Sequence, residues 1–145
     1  MNAFARTALF AAAAAALAAP LAAETMGGRK LSATLSGTAE VPGPGDPNGT
    51  GSIMARVNPG TGQFCYTLTV TNIDPATMAH IHKGPAGAAG PVVIALTAPA
   101  SGSSEACVTI TRELAMDLIM MPGDYYANVH NAAYPGGAVR GQLGK

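Results

Sequence analysis

The chain has 145 residues, with 8 basic and 8 acidic side chains and a formal charge of zero. That balance, with no basic patch, argues against nucleic acid and anionic membrane surfaces as partners. The 18 glycines and 11 prolines, set among Val, Thr and Ile runs, point to many turns between short strands and hence to an all-β chain.

The N-terminus reads as an address. Arg6 precedes Leu9-Phe10 and an alanine run to Leu17, and Leu21-Ala22-Ala23 supplies small residues before Glu24. This is the pattern of a signal peptide over residues 1–23, cut after Ala23. The apolar stretch is too short for a transmembrane anchor and no second one follows, so no membrane span is expected. The expected mature domain is residues 24–145, periplasmic or secreted.

Leu31 to Gly37 alternates as a half-buried strand, and Pro42 to Gly49 is a loop, because Pro lacks a ladder donor and Gly permits positive φ. Gly51 to Val57 and Gln63 to Val70 form a hairpin about the turn Asn58-Pro59-Gly60-Thr61-Gly62. Asp74-Pro75 breaks the chain before a strand containing Ala79-His80-Ile81-His82. A second long loop, Gly84 to Pro91, leads into Val92 to Leu96, and Ala106 to Thr111 follows a Ser/Gly/Pro connection.

The period then changes. Leu114, Leu118 and Met121 recur at helical spacing after Thr111, a suitable N-cap, and Pro122-Gly123 ends the run. One short helix is expected near 112–121, with Met116, Met120 and Met121 filling its contact with the strands rather than binding soft metal. Tyr125 to His130 returns to strand alternation, and Ala138 to Leu143 makes the last strand.

Cys65 and Cys107 both fall in strand-like runs. An even count in an exported chain favours a disulfide, closing a loop of roughly 40 residues and contributing roughly 3–4 kcal/mol. The alternative, two thiolate ligands to a soft metal, lacks any neighbour at CxxC or CxxxH spacing.

The three histidines occupy two motifs, Ala79-His80-Ile81-His82 and Asn128-Val129-His130-Asn131. Residues two apart on a strand share a face, so His80 and His82 can aim at one point. His130 from a second strand would complete a three-nitrogen site for copper or zinc. The competing reading is three structural histidines, since imidazole serves both roles. Tyr66, Tyr125, Tyr126 and Tyr134 are candidate neighbours. Two roles are open to Tyr134, approach to the metal's open position or an aromatic plug at the end of the fold. Arg140 either attracts an anion or ties a loop down through backbone carbonyls.

Several motifs together resemble the CHRD (chordin) domain family: Leu35-Ser36-Gly37 with Glu40-Val41-Pro42, the Ala79–His82 motif with Gly84, Gly90-Pro91-Val92-Val93, Asn128-Val129-His130, and Pro135-Gly136-Gly137 leading to Val139-Arg140-Gly141-Gln142-Leu143. They run in order from about Leu31 to Leu143. One departure is Ala138, where relatives often carry an acidic residue that would support a ligand from behind.

A more distant likeness is to the Cu,Zn superoxide dismutases, which also have an His-x-His strand, a later Val-His strand and an arginine near the end. That resemblance implies a Greek-key β-sandwich (superoxide dismutase-like or immunoglobulin-like), with His80, His82 and His130 similar to three copper ligands and Arg140 similar to the substrate-guiding arginine. Nothing here matches the bridging histidine or the zinc loop, so the activity is not carried over. The expected function is an exported copper-binding protein, with zinc as the second choice of metal. The alternative is an extracellular interaction module presenting loops 42–49 and 84–91 to another exported protein, and a further one is a weak single-metal oxidoreductase. Binding rather than catalysis is expected.

Overall fold

Leu31, Ala33 and Leu35 turn to one side of β1 (Arg29–Ser36) and are buried, while Lys30, Ser32 and Thr34 are exposed. The same period of two buries Ile53, Ala55 and Val57 on β2 (Thr50–Asn58) and Phe64, Tyr66, Leu68 and Val70 on β3 (Gln63–Thr71). These facts come from a computed structural model that describes residues 27–145; the signal peptide expected over 1–23 lies outside the described residues.

Five more strands follow: β4 (Ala76–Lys83), β5 (Val92–Leu96), β6 (Ser103–Thr109), β7 (Tyr125–Asn131) and β8 (Val139–Gln142). All pairings are antiparallel, in the spatial order β5-β4-β7-β8-β1-β2-β3-β6. The link from β3 to β4 crosses from one end of this order to the other, and the chain crosses back between β5 and β6 and again between β6 and β7. The sheet curls so that its inner face encloses one apolar core, with Leu35, Ile53, Phe64, Leu68, Ile81, Val129 and Val139 in it. The result is all-β with one short helix, as expected, and its sheet closes in a barrel- or sandwich-like manner. Its two edges are drawn together by side chains: Thr97 N donates to the Tyr66 hydroxyl (2.7 Å), and Ser104 Oγ donates to the Thr97 carbonyl (2.8 Å).

Local chemistry fixes the connections. The Asn58 side chain accepts from Gly60 N and Thr61 N, closing the β2–β3 hairpin. Cys65 and Cys107 face one another in register on β3 and β6 and form a disulfide. The helix α1 (Arg112–Met120) is capped by the Thr111 side chain, which accepts from Leu114 N at 3.2 Å. Its buried residues are Ala115 and Leu118. The methionines expected to fill that contact do not: Met116, Met120 and Met121 are 40%, 66% and 53% exposed. A nine-residue helix buries one narrow stripe, and the small Ala115 lets α1 lie close enough to leave the longer side chains outside.

Strand β7 departs from alternation, since all seven of its residues are buried. Tyr125, Ala127 and Val129 belong to the core. Tyr126, Asn128 and His130 point the other way, and a strand at the sandwich surface can bury that side only if something folds over it. Two loops do, and the space beneath them is the candidate site.

Candidate metal centre

Register brings the three histidines together. His80 pairs with Asn128, His82 with Tyr126, and Met78 with His130, so these six residues share the outer face of β4 and β7. A bulge between Ala76 and Met78 re-aims β4 just before that run. One nitrogen from each of His80, His82 and His130 lies within 4.8 Å of the other two. His80 Nδ1 and His130 Nε2 are 3.2 Å apart. Two nitrogens bound tetrahedrally at metal–nitrogen distances of 2.0 Å would be about 3.3 Å apart.

The tautomers follow from the partners. His82 Nδ1 lies 2.8 Å from the Gly90 carbonyl, and His130 Nδ1 lies 3.0 Å from the Pro135 carbonyl. A carbonyl only accepts, so both Nδ1 atoms carry a proton, and in the neutral ring each Nε2 presents a lone pair. His82 Nε2 is buried without a hydrogen-bond partner. An orphaned buried acceptor of this kind costs stability unless something donates to it or coordinates it. Asn128 Oδ1 stands 3.1 Å from His130 Nε2, an acceptor opposite a lone pair; exchanging the amide O and N makes it a donor to the ring.

Two loops hold these rings. Residues 84–91 fold back over β7, with Gly90 N donating to the Tyr126 hydroxyl at 3.1 Å. Gly90 is required there, because a Cβ would sit 1.7 Å from the Lys83 carbonyl oxygen. The Tyr126 ring stacks on His82 at 4.7 Å, nearly parallel at 6°. Arg140 also lies against Tyr126, its guanidinium carbon 3.4 Å from the ring centroid. Arg140 Nη2 donates to the Pro85 (2.9 Å) and Ala88 (2.8 Å) carbonyls, and the residue is only 2% exposed. Of the two roles open to it, loop-tying is the one this geometry describes. Gln142 Nε2 adds donation to the Gly84 carbonyl at 3.0 Å.

The second loop runs from Asn131 to Gly137 and presents the Pro135 carbonyl. Tyr134 N donates to Asn131 Oδ1 (2.8 Å), and Tyr134 O accepts from Gly137 N (3.1 Å). Among the described residues, no hydrogen bond or ring contact links Tyr134 to the histidines. The aromatic at the centre is Tyr126, which strand register alone would have placed opposite His82.

Beneath the second loop lies Glu40, 7% exposed, with Oε1 unpartnered. Gly137, at φ +141°, passes so close that a Cβ would fall 2.4 Å from the Glu40 carboxyl carbon. Burial raises the Glu40 pKa to about 7, against the smaller lowering effects of the Arg140 charge and the Val41 N–H. His80 and His130 shift the other way. Burial holds both below the ordinary imidazole value, helped at His80 by His130 and His82 and at His130 by His82, while the Pro135 bond opposes it at His130. Neutral rings are the form that binds metal.

Three converging imidazoles suit a divalent ion of the copper or zinc class and leave one or two coordination positions open. The donor set therefore fits such an ion. Comparison with curated proteins and with solved structures yields no significant match. A CHRD domain model matches residues 31–143, spanning every strand from the third residue of β1 to the end of β8, and the chain belongs to that family.

Proposed function

We propose that this CHRD-family protein is an exported copper-binding protein whose ion is held by His80, His82 and His130. The observation that carries the reading is His82 Nε2, a buried lone pair with no protein partner, its tautomer locked from behind by Gly90. Copper is favoured over zinc by intrinsic affinity for nitrogen ligands. The Cys65–Cys107 disulfide is in keeping with an oxidising compartment, where Cu(II) persists. No helix among the described residues is long and apolar enough to cross a membrane.

Titration of tag-free protein with Cu(II) tests this. Saturation at one equivalent with a nitrogen-rich spectroscopic signature is expected, together with strong weakening in His82→Ala. Unchanged affinity in that variant removes the site.

A second reading makes the domain an extracellular interaction module, in line with the settings of CHRD domains, with the histidines holding loops. The bonds His82–Gly90 and His130–Pro135 favour it. They engage only the Nδ1 side of each ring, however, and leave His82 Nε2 buried without a partner. Metal-free protein that binds no copper yet keeps both loops ordered would favour the module.

A further inference from the structure

Met78 is the residue of this face that the three-histidine reading leaves unused. It is the register partner of His130 and stands two residues before His80, so its side chain emerges beside both rings on the same side of the sheet. Directly opposed side chains in an antiparallel pair have Cβ atoms about 5 Å apart, well within the reach of an unbranched thioether. The bulge between Ala76 and Met78 ends the regular pairing at this point.

The two ends of the cluster differ. On the His82 side, Tyr126 and the 84–91 loop close it, and His82 Nε2 is buried. On the other side Met78 is 47% exposed, an apolar side chain left in solvent at the rim of a polar cluster. The remaining exposed methionines lie elsewhere: Met54 on β2, and Met116, Met120 and Met121 on or just after α1.

Thioether sulfur is a soft donor. It adds little for Cu(II) or Zn(II) but selects for Cu(I), which imidazole also accepts. We infer that Met78 supplies the fourth donor of the centre, a sulfur capping the open rim, and that the site thereby takes cuprous as well as cupric copper. The inference rests on the copper reading above. It makes the protein a carrier able to retain the ion across a change of oxidation state imposed from outside, with the thioether engaging as the ion softens.

The test compares wild type with Met78→Leu, a change of similar volume at a half-exposed position, and with Met54→Leu as control. Cu(I) affinity is measured without oxygen by competition with a chromophoric chelator, and Cu(II) affinity by direct titration. The expected result is Cu(I) binding weakened on the order of 10-fold or more in Met78→Leu. Cu(II) binding should stay nearly unchanged, and Met54→Leu should match wild type. X-ray absorption of the Cu(I)-loaded protein should show sulfur at about 2.3 Å, absent in Met78→Leu. A first shell of nitrogen alone, with equal Cu(I) affinity in both proteins, overturns the role of Met78 while leaving the three-histidine site intact. Copper binding indifferent to His82→Ala overturns the copper reading itself, and this inference with it.

Discussion

His80 and His130 meet nitrogen to nitrogen at 3.2 Å although 50 residues separate them in the chain. The contact exists because β4 and β7 are neighbours, and between them in sequence lie an edge hairpin partner, a far-edge strand and a helix. The long excursion has a use. The loop that leaves β4 at Gly84 folds back before β5 begins, and the loop that leaves β7 folds before β8, so each histidine strand contributes its own cover.

That cover depends on Gly90. Its carbonyl fixes the His82 tautomer, its N–H holds Tyr126, and a Cβ there would collide with the Lys83 carbonyl. Gly90→Ala is expected to keep the fold, since it lies outside the core, and to lower copper affinity on the order of 10- to 100-fold, the usual cost of losing a group that orients a ligand. Wild-type affinity in this variant would show that the loop does not orient the ring.

The pairing of His80 with His82 could be read from the sequence, because a period of two needs no knowledge of neighbours. So could the disulfide, the hairpin at Asn58 and the helix capped by Thr111. Register could not. It puts Tyr126 rather than Tyr134 against His82, and Met78 beside His130, and it depends on which strands pair across 50 residues. The role of Arg140 was open between anion and carbonyls for the same reason, as its partners Pro85 and Ala88 are distant in sequence. Glu40 gave no signal of burial; among Pro and Gly residues a carboxylate reads as solvated loop. The methionines of α1 misled because periodicity does not say how much of a short helix its neighbours cover.

Glu40 makes stability depend on pH. Its pKa is near 4.5 in the unfolded chain and about 7 in the fold, chiefly through burial. Between those values the folded state keeps a proton that the unfolded state releases, so stability falls as pH rises through roughly 4.5 to 7, by up to about 3 kcal/mol. His80 and His130, held low by burial, act oppositely: their contribution grows as pH rises toward the ordinary imidazole value. Glu40→Gln isolates the carboxyl. Melting curves should show the variant close to wild type at pH 5 and more stable at pH 8. A gain of equal size at both pH values would show that Glu40 does not titrate in this window.

The disulfide joins β3 to the edge strand β6, which otherwise has a partner on one side only. Native protein should contain no alkylatable thiol. Reduction should remove about 3 kcal/mol and lower the melting temperature on the order of 10 °C. Two thiols readily alkylated in native, unreduced protein would defeat this, as would a melting temperature unmoved by reductant.

Copper-loaded protein is expected to be at best a feeble superoxide dismutase. Each turnover oxidises one superoxide and reduces another, and the peroxide formed in the second half needs protons delivered at the metal. No fourth histidine exists in this chain to stand between the ion and a proton source. Attraction of the anion is also weak. The chain is formally neutral, and Arg140, near the cluster, has Nη2 committed to the Pro85 and Ala88 carbonyls and its face to Tyr126. Arg140→Ala should therefore damage the 84–91 loop, and with it copper retention, rather than reduce a steering rate. In stopped-flow measurements the wild-type rate constant should fall orders of magnitude below the diffusional ceiling of about 10⁹ M⁻¹s⁻¹. A rate near that ceiling that drops steeply with added salt, and is lost in Arg140→Ala while copper stays bound, would mean that the guanidinium faces the substrate in solution.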